Sequence, residues 1–459
     1  MPPIQPDSRR PPLQASAFGD GGRTHGEEQM NRRCVHPTDD PVPARESATR
    51  RVLFIPPLPV NLYSIWAYLA LLLAMLLIVS LDRPFAAIDA RTPPSHDRYP
   101  AIDGLRGFLA FGVFGHHAVV THEYITTGIW RAPPSGFYAM LGEVGVALFF
   151  AVTGFLFWGK LLGERGAPDW GRLYVGRFFR IGPVYLAAAV VVLLLVGNRT
   201  GFELREPLTD VVSDATRWLG LGVLGQPDVN GYRDTSRLIA GVTWTLRYEW
   251  LFYFSLPLLA LFARSRRHLA FAVLGLVSCC GLYAVSRQPA AIYSSLFFCG
   301  MIPASLAHYG WRVPDRSNLA LAVALGCLSL LFAHYSSTLG IVQVLLLAVL
   351  FCVISIGSTF GRILRAKPVR RLGEISYSVY LLHGLILTGV FSIDGVRAFA
   401  LESNVSYWLI IALCGLLLLL VATLSFVLIE RPGIRLGKAI AGRFADARPS
   451  RPAARHPAH

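Results

Sequence analysis

Long apolar stretches recur along this chain, separated by short polar segments. A helix that crosses a bilayer needs about 20 predominantly apolar residues. Ten stretches of that kind lie between Asp103 and Ile429, at 103–122, 138–159, 178–197, 242–263, 269–286, 291–308, 319–335, 338–358, 374–393 and 405–429. Another precedes them, from Pro59 to Leu81. They are too long and too uniformly apolar for barrel strands, which alternate. Helices satisfy their own backbone groups in lipid. The pattern predicts an all-α, polytopic integral membrane helix bundle, with ten core transmembrane helices and an extra N-terminal one. Residues 1–52 are rich in Pro, Arg and Gly and show no periodicity, which predicts a disordered basic tail. Residues 53–96 hold the extra helix and a linker, 97–437 the membrane domain, and 438–459 a disordered basic tail.

Composition sharpens this picture. Of 459 residues only 15% are charged and 53% are apolar, whereas soluble domains carry about 25% charged residues. The net charge of +15 would suggest nucleic acid in a soluble protein. Here its distribution argues for topology instead, and no nucleic-acid partner is expected. With the start of the 103–122 helix inside, the inner loops hold 15 Lys and Arg against four acids, and the outer loops eight against nine. Basic loops mark the cytoplasmic side. Of seven cysteines, all but Cys34 fall in apolar runs, so no loop-borne disulfide framework or metal knuckle is indicated.

Ionisable residues inside a span are costly and mark function. Four places stand out. In the first core helix Arg106 and His117 are eleven residues apart, which brings them within about 20° of one face and separates them by about 16 Å along the axis. Arg106 then sits near the inner surface and His117 near mid-membrane; the plain alternative is a snorkelling arginine and a satisfied core histidine. His116 faces elsewhere, and a packing role is expected. Arg177 and Arg180 share a face at the inner start of the third helix. They either mark topology or recognise phosphates bidentately. Glu249, about 10 Å into the fourth helix, needs a partner, for which Arg247 and His117 are the candidates. Tyr377, Tyr380 and His383 lie along one side of the ninth helix, as a structural ladder or part of a site. No loop-borne ligand cluster calls for a metal.

These residues sit in stretches that resemble the membrane acyltransferase-3 family. The stretches are Ile102-Asp-Gly-Leu-Arg-Gly with His117, Gly145-Val-Ala-Leu-Phe-Phe-Ala-Val-Thr-Gly-Phe-Leu, Arg177-Phe-Phe-Arg-Ile, Trp244-Thr-Leu with Glu249, Ser376-Tyr-Ser-Val-Tyr-Leu-Leu-His and Ile429-Glu-Arg-Pro. Each alone is weak; six in the family's order are specific, and they cover about residues 97–437. Thr153 stands where the family usually has serine, and Ala147 where relatives are often polar. The resemblance implies a ten-helix bundle in a bacterial cytoplasmic (inner) membrane. It implies transfer of an acyl group, usually acetyl, from cytoplasmic acyl-CoA to a glycan or lipid-linked glycan acceptor at or across the membrane. It carries the family's Arg-x10-His motif onto Arg106 and His117, and its paired arginines onto Arg177 and Arg180. No hydrolase-like domain follows the bundle, so the acceptor is served by the bundle or by a separate extracytoplasmic partner.

The expectation is that Arg106, Arg177 and Arg180 hold the phosphates of acyl-CoA, with the pantetheine arm threading toward His117. His117 then acts as general base toward the acceptor hydroxyl or accepts the acyl group transiently. Glu249 orients the imidazole or holds the acceptor, and Trp244, Tyr377, Tyr380 and His383 support the site. A secondary transporter with a midplane His/Glu site is the alternative, though such folds usually show paired repeats with broken helices. A scaffold or lipid-binding protein would leave the aligned Arg106 and His117 unexplained.

Overall fold

The structure is a computed structural model that describes residues 61–89, 99–314, 317–357 and 361–446. Residues 1–52, Cys34 among them, the loop charges Asp315 and Arg316, and the tail beyond Asp446 lie outside the described residues. Among the described residues there is no strand beyond an isolated bridge between Val229 and Tyr232, and the fold is a helical membrane bundle.

The chain opens with α1 (Ile65–Ser80) and α2 (Asp82–Asp89), followed by α3 (Pro100–Thr127), α4 (Gly136–Gly163), α5 (Trp170–Arg199) and α6 (Leu208–Leu219). A 3-10 turn at Thr235–Ile239 leads to α7 (Trp244–Ala263), α8 (His268–Ser286), α9 (Pro289–His308), α10 (Asn318–His334) and α11 (Ile341–Ile356). The C-terminal third is α12 (Gly361–Leu364), α13 (Lys367–Glu374), α14 (Ser376–Phe391), α15 (Asp394–Glu402), α16 (Asn404–Ser425), a π-helical turn at Phe426–Glu430 and α17 (Arg431–Asp446). Local chemistry sets several of the starts. Asp169 accepts from the Arg172 backbone N–H at 3.0 Å to cap α5, Ser317 from Ala320 at 3.2 Å to cap α10, and Ser403 from Ser406 at 3.0 Å to cap α16.

Each of the ten apolar segments is occupied by a helix. The count of ten spans is not established by length and hydropathy. Five helices among the described residues are long and apolar enough to cross a membrane, or seven if two bent pairs each count as one span. α10 and α11 are short, at 17 and 16 residues, and α3 and α7 carry the ionisable residues of the interior.

Two segment ends coincide with bends, and one tail expectation is corrected. The 374–393 segment begins at the Ile375 corner, where α13 and α14 meet with a 67° bend. The 59–81 segment ends at a 75° bend into α2. Residues 438–446, expected to begin a disordered tail, continue α17. Its Gly433 approaches the Phe179 carbonyl so closely that a Cβ there would lie 2.7 Å from that oxygen. Pro183 explains why the carbonyl is open to approach, because a proline inside α5 cannot donate to the oxygen four residues back.

Small residues bring backbones together, as membrane bundles require. A Cβ at Gly154 of α4 would lie 2.1 Å from the Phe297 carbonyl of α9, and one at Gly300 of α9 would lie 1.8 Å from the Ala151 carbonyl of α4. The glycines of the Asp-Gly-Leu-Arg-Gly stretch do the same between α3 and the α12–α13 corner. A Cβ at Gly104 would meet Leu364 O at 2.0 Å, and one at Gly373 would meet Asp103 O at 1.9 Å. Arg371, which the charge pattern reads as one more loop cation, is instead 1% exposed. It donates to Val79 O at 2.8 Å and Leu81 O at 3.1 Å, to Asp82 at 2.8 Å and to both oxygens of Asp89, so it pins the α1–α2 bend to the bundle.

Candidate active site

A cavity of about 270 Å³ opens between α3, α4, α5, α7, α13 and α14. Its lining gathers Arg106 from α3, Thr153 from α4, Arg177 and Arg180 from α5, Glu249 and Tyr253 from α7, Glu374 from α13, and Tyr377 and Tyr380 from α14. Six of the nine residues singled out from the sequence therefore meet in one chamber. His117, His383 and Trp244 do not line it.

The walls are tied to one another through polar side chains. Tyr377 donates to Ile181 O at 2.8 Å, joining α14 to α5. Tyr380 donates to Val242 O at 3.0 Å and lies 3.1 Å from Thr245 Oγ1, joining α14 to α7. Tyr174 donates to Tyr253 O at 2.9 Å, joining α5 to α7. That last acceptor is open because Pro257, four residues on, has no N–H to offer it. The Arg177 guanidinium carbon lies 4.5 Å from the centre of the Phe157 ring, a cation–π contact. Arg180 lies 3.9 Å from Glu430, a fully buried carboxylate on the π-helical turn that also accepts from Ser378 at 3.2 Å. Arg106 lies 4.0 Å from Asp103.

Glu249 has neither of its expected partners. It accepts from Thr153 Oγ1 at 3.2 Å, and the hydroxyl retained at position 153 is what holds it. The distance in sequence between the two residues is why the pairing was not legible. Tyr253 had a readable signal, being one helical turn after Glu249 and so on the same face. Glu430 had one too, inside the Ile429-Glu-Arg-Pro stretch. Trp244 packs with Tyr293 at 4.8 Å and Tyr248 at 5.7 Å, in an aromatic cluster beside the chamber.

Beyond Tyr380 the interior turns neutral. The Tyr380 ring lies 6.3 Å from the His383 ring, and His383 Nε2 lies 3.1 Å from His117 Nδ1. His117 Nδ1 also faces the Val113 carbonyl at 3.0 Å, and His383 Nδ1 faces the Val379 carbonyl at 3.3 Å. A carbonyl can only accept, which favours the tautomers with hydrogen on both Nδ1 atoms. In that assignment the one His117 Nδ1 hydrogen is shared between Val113 O and His383 Nε2, and His117 Nε2 is a lone-pair nitrogen. The companion His116 ring stands edge-on to His117 with ring centres 4.8 Å apart, its Nδ1 2.8 Å from the Tyr138 carbonyl. Among the described residues no carboxylate touches the pair.

The helical membrane bundle thus sets a charged chamber beside a cluster of imidazoles. The acyltransferase domain family Acyl_transf_3 matches residues 99–427, and the chain belongs to this acyltransferase-3 family. The protein is a membrane acyltransferase. It is similar to the acyltransferase MdmB of Streptomyces mycarofaciens, with 25% identity over 382 residues that cover 75% of this chain and 94% of that protein. It is also similar to YrhL of Bacillus subtilis (strain 168), provisionally named a peptidoglycan O-acetyltransferase, with 23% identity over 379 residues. That match covers 73% of this chain and 55% of YrhL, so the chain spans about half of that relative. No solved structure matches the chain.

Proposed function

We propose that the protein transfers an acyl group, acetyl in the simplest case, from cytoplasmic acyl-CoA to a hydroxyl of a glycan or glycoconjugate at or across the bacterial cytoplasmic membrane. The observation that carries this reading is the chamber with three guanidiniums whose Tyr380 wall abuts the His383–His117 pair. Arg106, Arg177 and Arg180 suit the phosphates of the donor, because guanidinium recognises phosphate bidentately. The excess of Lys and Arg in the loops at the Arg177 end supports a cytoplasmic mouth. YrhL's name supports a carbohydrate hydroxyl as acceptor.

In this reading His117 Nε2 takes the proton from the acceptor hydroxyl. The acceptor oxygen attacks the thioester carbonyl, the C–S bond breaks, and the proton passes from the imidazolium to the departing thiolate. The products are the O-acyl acceptor and the free thiol of CoA. His383 holds the His117 tautomer that makes Nε2 basic. Glu249, held by Thr153, sits on the chamber wall, where it can accept a hydrogen bond from the donor's amide arm. The test compares surface glycans from cells carrying wild-type protein or His117→Ala by mass spectrometry. The wild type should add an acyl mass that the variant lacks at equal membrane abundance; the same mass in both overturns the reading.

A further inference from the structure

A second cavity of about 170 Å³ lies at the other end of the bundle. Its lining includes Arg199, Arg237 and Arg397 and no Asp or Glu. Arginines at that end run against the usual bias, since cations collect on the opposite face of a membrane protein, and the loops there hold no net cationic excess. Three gathered around one void therefore call for a ligand.

Their present partners are weak competitors. Arg397 pairs with Asp394 at 2.6 Å and Arg237 with Asp234 at 3.4 Å, in both cases three residues away, and those carboxylates are 89% and 70% exposed. Exposed pairs of this kind contribute about 0–1 kcal/mol. Arg199 is exposed and has no ion-pair partner among the described residues. Glu123, the nearest carboxylate on α3, is taken up by Tyr63 at 2.5 Å and Arg131 at 3.4 Å. The Arg237 guanidinium carbon also lies 4.1 Å from the centre of the Tyr124 ring, a cation–π contact.

Neither imidazole lines the cavity, but two of its lining residues adjoin the pair. Trp130 lines it and stacks on His117, with ring centres 6.1 Å apart and planes 19° apart. Gly384, next to His383, also lines it. The volume is small beside the ~300–1,000 Å³ of pockets for drug-sized ligands, so it suits one sugar residue with its substituent. Trp130 and Tyr124 offer aromatic faces for such a ring.

We propose that this cavity receives the acceptor and selects one that carries a carboxylate or phosphate close to the hydroxyl to be acylated. The inference rests on the acyl-transfer reading for the word acceptor, but anion recognition at the site is tested without a donor. The full chain is purified in nanodiscs, and binding of methyl glucuronide, its methyl ester and glucose 1-phosphate is measured with no acyl-CoA present. The expected result is that the charged sugars bind at least about tenfold more tightly than the ester, the effect of one charge-assisted hydrogen bond. Arg199→Gln and Arg397→Gln should each reduce that preference, and Arg199→Lys should restore part of it. Preference for glucuronide over the phosphate, or the reverse, identifies the anion. Equal binding of acid and ester, a preference unchanged in both glutamine variants, or binding of none of the three overturns the proposal. Acetyl-CoA binding by the same preparation, and its loss in Arg177→Gln, reports on the donor reading separately.

Discussion

Arg106 and His117 stand on one helix, about 16 Å apart, in opposite chemical settings. Around Arg106 are two more guanidiniums and the carboxylates Glu249 and Glu374, in a chamber with an open mouth. Around His117 are the Val113 carbonyl, the imidazoles of His116 and His383 and the indole of Trp130. The contrast separates two jobs. Fixed charges recognise a charged ligand, and they are tolerable where water reaches. A base must be neutral to take a proton, and among the described residues no carboxylate touches this imidazole. Had Glu249 touched His117, as its depth in the fourth helix suggested, the pair would have favoured an imidazolium.

The largest expected effect breaks the neutral half of the contrast. His117→Ala should lower kcat for acyl transfer by about 100- to 10,000-fold, the usual worth of a positioned base, with acetyl-CoA affinity unchanged in direct binding. A kcat within tenfold of wild type would remove His117 from the proton path. Next comes the charged half. Arg177→Ala should weaken acetyl-CoA binding by about 10- to 100-fold, the range for losing a hydrogen bond to a charged group, with kcat at saturation little changed. Equal affinity would sever Arg177 from the donor. His383→Ala should cost about tenfold in kcat, matching one hydrogen bond of about 1.4 kcal/mol, with KM for the donor unchanged. His383→Gln should recover part of this loss, because its amide oxygen can accept from His117 Nδ1–H. A KM effect in its place would make His383 part of the binding chamber.

The smallest effect concerns the rim. Hydrogen bonds from Lys367 hold the Asp82 carboxyl below the ordinary carboxylate range, and hydrogen bonds from Arg371 do the same for Asp89. A carboxylate with a depressed folded-state pKa stabilises above its unfolded value, and that contribution is lost as pH falls through the folded value. The α1–α2 bend should therefore resist protease from neutral pH down to about pH 4 and open only in stronger acid. Opening near pH 6 would mean that these pairs do not hold it.

Much of this molecule was legible in its sequence because apolar length is a strong signal. All ten core segments are helices, and the chamber's arginines, Glu249 and both tyrosines stand out as polar residues in apolar surroundings. What failed was whatever depends on a distant contact. The break at Ile375 leaves no proline or glycine at the corner itself, since packing against α3 makes the bend. The α17 helix is too polar to read as a span and too rich in Arg and Gly to read as core. Arg371 looked like a loop cation because its four acceptors come from the other end of the chain. His117 and His383 were placed at one depth, yet nothing in a single sequence says that two residues on separate helices share a proton.

The contact of Gly104 with Leu364 and of Gly373 with Asp103 has a mechanical consequence. Two backbones in van der Waals contact have no slack between them, so α3 and the α12–α13 corner form one stiff wall that carries Arg106 and Glu374. Across the chamber, the wall of α5 and α7 is tied by side-chain hydrogen bonds from Tyr377, Tyr380, Tyr174 and Thr153, of a kind that a ligand's own amides and oxygens can replace. The chamber is thus built like a vice with one fixed jaw. Any closing on the donor is a movement of Arg177, Arg180 and Glu249 toward a stationary Arg106, and a methyl group added at either glycine would shift the reference jaw itself.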